Sequence, residues 1–485
     1  MPTMAVRVAP YAAGPQPLTR EPKMIRVPNE AITRLENIVG HGHLLKESDV
    51  FSRWPGYGAG NLDAGLLIRP SSTEQVADCV CVCSDFAIPI VVHGGLTGLV
   101  RGCKSAPGQL ILSTERLNQI HGIDVARRLI DVGAGVKLQS VQTAAAGAGL
   151  HVGIDIGSRG SCTIGGNVAT NAGGSRVVRY GMTRSQIAGL EVVLADGAVI
   201  SETTGLIKNN TGFDLKQLFI GTEGICGIVT RVLVRLDAAP TTSCAALLAF
   251  DRYDDALKFY EKARAELNNR ISAVEVMWRE YYSAVCQDML AGKPPPLAAE
   301  WPIFVLFELE SVDKSVHADA AMQDFLGDIE YISSGVIAKS GAEAARFWEI
   351  RDGSDSIERL YPAVYSFDVS LSPSDFTNYI EKVKAGLASC GETCSLYSFG
   401  HMADGNIHFM VGCANADPSL HGLISNLVYD PLSRYVSSSI SAEHCIGIEK
   451  AAHVSRSRPA QQLALMRLLK RSLDPKGLLN PHIAF

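Results

Sequence analysis

The segment Phe399-Gly400-His401-Met402-Ala403-Asp404-Gly405-Asn406-Ile407-His408-Phe409 places two imidazoles seven positions apart around an Asp-Gly dipeptide. On a helix they would stand two turns apart, ~10 Å, too far to share one metal ion. Asp-Gly between two apolar runs instead signals a two-residue hairpin turn. With Asp404 and Gly405 as that turn, Ala403 opposes Asn406, Met402 opposes Ile407 and His401 opposes His408. Opposed residues hold their Cβ atoms ~4.5–5.5 Å apart, so both rings would leave one face of the ribbon as a two-nitrogen clamp. Taken alone, the same residues read more simply as two surface or core histidines flanking an ordinary turn. A completing element lies further on, in Ser441-Ala442-Glu443-His444-Cys445-Ile446-Gly447. Glu443 could give a third, anionic ligand and His444 a general base. Two imidazoles, one carboxylate and an open position suit zinc or a similar divalent cation acting as a Lewis acid.

Three glycine-rich segments form a second constellation. The first is Val91-Val92-His93-Gly94-Gly95-Leu96-Thr97-Gly98-Leu99. The second is Ile156-Gly157-Ser158-Arg159-Gly160-Ser161-Cys162-Thr163-Ile164-Gly165-Gly166-Asn167-Val168-Ala169-Thr170-Asn171-Ala172-Gly173-Gly174. The third is Gly221-Thr222-Glu223-Gly224-Ile225-Cys226-Gly227-Ile228-Val229-Thr230. A diphosphate needs several backbone N–H groups converging on it, and glycine lets the chain come that close. Thr97, Ser158, Ser161 and Thr163 add hydroxyl donors. One glycine cluster alone would mark only a tight turn; three, one of them nearly uncharged throughout, point to a nucleotide. No Gly-x-Gly-x-x-Gly opens a helix with an acid about twenty residues on, and there is no Walker lysine. Spacing therefore does not name the nucleotide.

These groups need a scaffold, and the chain is long enough for two or three domains at 485 residues. Hydrophobic residues at 47% and charged residues at 19% are globular composition. A net charge of −6 gives no electrostatic reason to expect nucleic acid as a partner. Twelve cysteines with no Cys-x-x-Cys pair suggest free thiols in a reducing compartment. No run reaches the ~20 apolar residues that span a bilayer. The first twenty residues, with four prolines, read as a loosely draped arm.

The texture divides the chain into four parts. Residues 1–60 form an arm and a helical lead-in, with Asn29 capping a helix over 31–39. Residues 61–238 alternate short strands (88–92, 109–112, 130–132, 190–194) with helices (73–86, 138–147) and glycine-rich turns. Residues 239–430 pair helices (252–269, 315–326, 373–389) with strands (303–309, 363–369, 394–399, 406–411) in an antiparallel α+β pattern. Residues 431–485 close the chain. Within the third part, 293–296 is a proline-rich loop.

The glycine-rich segments resemble the FAD-binding domain of the vanillyl-alcohol oxidase (p-cresol methylhydroxylase-like) flavoprotein family, over nearly the whole chain from Ser48 onward. The run Gly160 to Gly174, followed by Arg176 to Gly181, is most similar to the D-2-hydroxy-acid dehydrogenase branch. That resemblance implies an α+β fold: two α+β subdomains gripping an extended FAD, with an α+β cap domain built on an antiparallel sheet. Some members bond flavin covalently through a histidine just after the Gly-Gly of the first loop. Leu96 stands there, so the resemblance implies non-covalent FAD, and His93 is a loop residue. It also implies metal ligands at His401, His408 and Glu443, with His444 near the substrate hydroxyl and Arg351 on its carboxylate. Leu473-Asp474-Pro475-Lys476-Gly477-Leu478-Leu479-Asn480-Pro481 resembles the family ending, which returns to the flavin at Asn480. Cys445 departs from the pattern, since relatives have glycine there.

The resemblance carries further expectations. Relatives acting on 2-hydroxyglutarate carry threonine, lysine and asparagine where this chain has Asp355, Ser366 and Met410. A pocket without the lysine and with an added carboxylate repels a second substrate carboxylate. The expected reaction is therefore oxidation of a D-lactate-like 2-hydroxy acid, with 2-hydroxyglutarate as the alternative. A quinone, an electron-transfer flavoprotein or a cytochrome would accept the electrons. A homodimer and a cytoplasmic, membrane-peripheral or organellar location complete the expectation. A different family oxidase, or a flavin-binding subunit without activity, are the rivals.

Overall fold

The computed structural model describes residues 27–391, 393–417 and 419–483; the N-terminal arm lies outside the described residues. The fold is α+β. A first sheet orders its strands Leu44–Lys46, Leu66–Ile68, Leu110–Ser113 and Ile90–His93. The last three run parallel, with a helix bridging Leu66–Ile68 to Ile90–His93. That helix, Thr73–Asp85, starts where Ser72 accepts a hydrogen bond from the Gln75 amide at 3.2 Å. It buries Val76, Val80 and Cys83 at helical spacing, leaving Cys81 exposed between buried Cys79 and Cys83. The lead-in also gives this sheet an edge strand, Leu44–Lys46. Asn29 is the first residue of its helix rather than the cap, a place taken by Pro28.

A second sheet is antiparallel throughout, ordered Ile120–Asp124, Leu129–Gly133, Ile228–Arg235, Ile187–Val193 and Val199–Glu202. The two sheets share one apolar core, which Leu479 and Ile483 enter from the far end of the chain. Leu479 bridges Ile90 directly, so the chain's last segment folds back onto the first glycine loop.

The third sheet has eight antiparallel strands: Ser334–Ile337, Thr242–Phe250, Ile303–Ser311, Ile271–Trp278, Cys394–His401, Asn406–Cys413, Ala363–Leu371 and Ser438–Ser439. Helices cover both of its faces, and each face has its own core. Central strands such as Thr242–Phe250 and Ile271–Trp278 are therefore buried on both sides and lose the alternation that advertises a strand. The proline-rich loop at 293–296 joins the helix Arg279–Met289 to the strand Ile303–Ser311 inside this domain.

Charges clamp the third sheet to the glycine-rich half. Arg176 pairs with Glu308, and its guanidinium lies 5.1 Å over the Trp348 ring. Trp348 Nε1 donates to the other Glu308 oxygen at 2.9 Å, and Tyr180 donates to Glu310 at 3.0 Å. Trp348 shares the helix Gly341–Asp352 with Arg351, so one element touches both the clamp and the site.

Candidate active site

The three glycine segments meet. His93 ends a strand, and the loop after it presses on the second segment so closely that a Cβ on Gly95 would stand 2.2 Å from the Ser161 carbonyl oxygen. The Gly94 position is closed by Thr163 Oγ1. Thr163 caps the helix Ile164–Thr170, accepting from the Gly166 amide at 3.3 Å. Gly165 sits where a side chain would strike Ala134. The third segment joins through Glu223 N to the Ala169 carbonyl at 2.7 Å. Asn480 ties the first segment to the third: its Oδ1 accepts from Val92 N at 2.9 Å, and its Nδ2 donates to the Glu223 carbonyl. Ile164, Ile228 and Val229 turn their side chains into the core rather than toward the groove.

A dinucleotide fits this surface on two observations. A Cβ at Gly98 or Gly157 would meet only open space, and the Asn167 amide Nδ2 is buried without a partner. An orphaned buried donor beside a helix N-terminus suits an anionic ligand.

His93 does not face that groove. Its ring is buried and its Nε2–H donates to the Cys103 carbonyl at 2.9 Å. Burial lowers its pKa from 6.5 to about 4. The unfolded chain then binds more protons between pH 4 and 6.5, so this histidine's contribution to stability is lost as pH falls through that window. The expected loss is about 2 kcal/mol between pH 7 and pH 5. Urea unfolding at both pH values should show a smaller acid loss in His93→Gln than in wild type by about that amount.

The hairpin differs from the two-residue turn expected. His401 pairs with Asn406 and Phe399 with His408, so Met402 to Gly405 form a four-residue loop. Met402 to Asp404 make one turn of 3-10 helix, and Gly405 adopts the left-handed conformation at φ 80°. The buried Met402 side chain draws that turn inward. The register shift is two residues, an even number, so side-chain parity survives and both imidazoles still share a face. Their centroids are 5.3 Å apart, as diagonal neighbours rather than an opposed pair. The ligand atoms of His401, His408 and Glu443 lie within 4.8 Å of one another. His401 Nε2 stands 3.0 Å from Glu443 Oε1, which also accepts from the Gly174 amide at 3.0 Å. The end of the glycine run therefore touches the cluster itself.

Two buried acids that no motif announced organise these groups. Glu275, on the neighbouring strand, accepts from His401 Nδ1 at 2.8 Å and from Arg351 Nε at 2.7 Å. Arg351 is buried, and its Nη2 lies 3.2 Å from His401 Nε2. Asp368, wholly buried, stands opposite His408 in the sheet. One of its oxygens accepts from the amides of Ala442, Glu443 and His444 at 2.9, 2.7 and 3.1 Å. The other meets the Lys450 ammonium and, at 3.1 Å, His444 Nδ1. Asp368 thus shapes the loop and orients the His444 ring, which stacks 5.7 Å from His408. A lone acid in an apolar run, as in ISAVEVMW, is the one signal that could have found Glu275.

The electrostatics divide the imidazoles. Burial opposes charge on His401, but Glu275 and Glu443 outweigh it and hold its pKa well above the ordinary value. For His408 burial wins and keeps it neutral. Burial also resists ionisation of Asp368 and Glu443, yet the neighbouring His444 and Lys450, and His401, respectively, hold both carboxyls low. Cys445 takes the left-handed conformation at φ 65°, where a glycine costs nothing, and its thiol donates to the Thr170 carbonyl at 2.9 Å. Glu223 accepts from the Gly447 amide at 3.0 Å, fixing the other end of the same loop.

The glycine-rich surface meets the acid–imidazole cluster at Gly174 and Glu443, and the family matches make the chain an FAD-linked oxidoreductase. The chain belongs to the FAD-linked oxidase family: residues 239–483 match the model for the C-terminal domain of FAD linked oxidases, and residues 64–202 match an FAD binding domain. It is 37% identical over 424 residues to D-2-hydroxyglutarate dehydrogenase of Xanthomonas citri pv. viticola, covering 86% of this chain and 88% of that one. It is 31% identical to a putative mitochondrial D-lactate dehydrogenase of Schizosaccharomyces pombe, covering 96% and 92% of the two chains. The fold is that of p-cresol methylhydroxylase, whose substrate-bound structure superposes with a TM-score of 0.73 at 18% identity, over 94% of this chain and 96% of that one.

Proposed function

We propose that this protein oxidises a D-2-hydroxy acid to the 2-oxo acid, with a divalent metal, zinc foremost, held by His401, His408 and Glu443. One observation carries the reading: His401, His408 and Glu443 cluster with His444 and Arg351 beside them, and Glu443 reaches the end of the glycine run at Gly174. The relatives' names support the substrate class. The three segments and Asn480 would hold FAD non-covalently, and the flavin would supply the acceptor for a hydride. Arg351, already fixed by Glu275, holds the substrate carboxylate and aligns its Cα–H. A divalent ion held by His401, His408 and Glu443 would supply Lewis-acid polarisation of the substrate hydroxyl. His444, its Nδ1 turned to Asp368, takes the hydroxyl proton at Nε2. An external quinone, electron-transfer flavoprotein or cytochrome would take up the electrons. Among the described residues no helix is long and apolar enough to cross a membrane.

The distal end of the substrate is uncharged. Ser366 directly opposes Met410, one alternate pair along from Asp368 and His408, so the strip beside the ligands carries a hydroxyl and a thioether. Asp355, exposed nearby in sequence to Arg351, adds negative charge. Anaerobic flavin bleaching with a panel of 2-hydroxy acids is expected to run fastest on a D-monocarboxylate and to stop after chelation. Fastest bleaching with D-2-hydroxyglutarate or D-malate would overturn the distal-group assignment alone. No bleaching with any hydroxy acid would overturn the activity.

A further inference from the structure

We propose that Cys394 and Cys413 form an oxidisable dithiol, closing to a disulfide under a hydroperoxide at the open end of the hairpin that carries His401 and His408. The inference stands whether or not the hydroxy-acid reading holds. The two cysteines are direct cross-strand partners in the register that runs on to His401 opposite Asn406. Opposed antiparallel residues hold Cα atoms ~4.5–5.5 Å apart, inside the ~4.4–6.8 Å that a disulfide spans. Their Sγ atoms stand 2.9 Å apart. Closing to the ~2.05 Å bond takes a side-chain movement of under about 1 Å, with the backbone in place. Along the strand, 397, 399 and 401 alternate onto the site's face, so Cys394 points away from it. Cys413 lies within the core on that other face, and Cys394 packs half-buried against it.

The chemistry balances with a hydroperoxide as oxidant. The Cys394 sulfur attacks the peroxide, an S–O bond forms, the O–O bond breaks and water or an alcohol leaves. The Cys413 sulfur then attacks the sulfenic sulfur, the S–S bond forms and water leaves. Two thiols lose two electrons and two protons, and the peroxide is reduced. Burial, with the neighbouring thiol, pushes Cys394 up to about 12, so its thiolate is scarce at neutral pH and closure quickens as pH rises. Cys390 also reaches the Cys394 thiol and is the competing partner.

The test uses the full FAD-loaded chain, reduced, desalted and treated with hydrogen peroxide at pH 7 and pH 9, then alkylated and mapped by mass spectrometry without reductant. A Cys394–Cys413 linked peptide is expected, formed faster at pH 9 and absent in Cys413→Ser. Wild-type Tm should rise by about 5 °C on oxidation, since the bridge closes a loop of moderate length, and Cys413→Ser should show no rise. A Cys390–Cys394 link, a singly over-oxidised Cys394, or two free thiols after treatment would each overturn the proposal. If Cys413→Ser does not fold, the wild-type peptide map decides alone.

Discussion

In His444→Ala, flavin reduction by the hydroxy acid is expected to fall by about 10²–10⁴-fold, the usual worth of a positioned general base, while the yellow protein keeps its full FAD content. The ring is a quarter exposed and its Nδ1 is committed to a carboxylate with no exposure at all. A ring so held presents Nε2 in one tautomer, available to take a proton. Asp368→Asn should lose activity by a similar factor, because an amide can donate to Nδ1 and turn the ring into the wrong tautomer. It also leaves Lys450 buried without its counter-ion, a loss of about 3–5 kcal/mol when one partner of such a pair is removed. Stopped-flow reduction separates the two effects, since FAD content and unfolding midpoint report the second. The double variant should be barely slower than the worse single one, as groups acting as a unit are non-additive. Additive losses would show that Asp368 acts on something other than His444. Unchanged reduction in His444→Ala would remove that residue from the chemistry.

What could be read from the sequence follows a physical line. Helices with a polar outer face, such as Thr73–Asp85, and strands bounded by turns, such as Asn406–Cys413, announce themselves because one face meets water or a loop ends them. Thr242–Phe250 does not, since nine residues rich in alanine and leucine, flanked by paired strands and covered on both faces, carry no period. The same burial hid Glu275 and Asp368. The proposed metal ligands lie in recognisable motifs, but the acids that orient them sit singly in apolar strands, and only the sheet order brings them across. The hairpin shows a milder failure. Asp404-Gly405 correctly marked a reversal, but local turn chemistry could not know that Met402 would be drawn into the core and lengthen it. The shared face survived because parity, not exact register, decides which side a side chain takes.

Glu275 joins the proposed metal cluster to Arg351, and its replacement tests both. It is fully buried and pairs with both the Arg351 guanidinium and the His401 ring. Both neighbours draw its carboxyl below the ordinary range against the opposing pull of burial. In Glu275→Gln the amide keeps the shape but not the charge. Arg351 and His401, 3.2 Å apart, then lose the carboxylate they share and keep only Asp352 and Glu443, respectively, a cost of up to about 3 kcal/mol in folding stability. The ring also loses the carboxylate that fixes Nδ1–H and leaves Nε2 toward Glu443, so zinc affinity should fall by about 10–100-fold. With Arg351 released, KM for the hydroxy acid should rise more than the rate of flavin reduction falls once zinc is saturating. A chelator-competition titration with zinc reads the first effect without any turnover, and steady-state kinetics in excess zinc reads the second. Zinc affinity equal to wild type would mean that Glu275 holds only the arginine. An unchanged KM with lost zinc would assign it to the ligand alone, and neither change would leave it a structural acid.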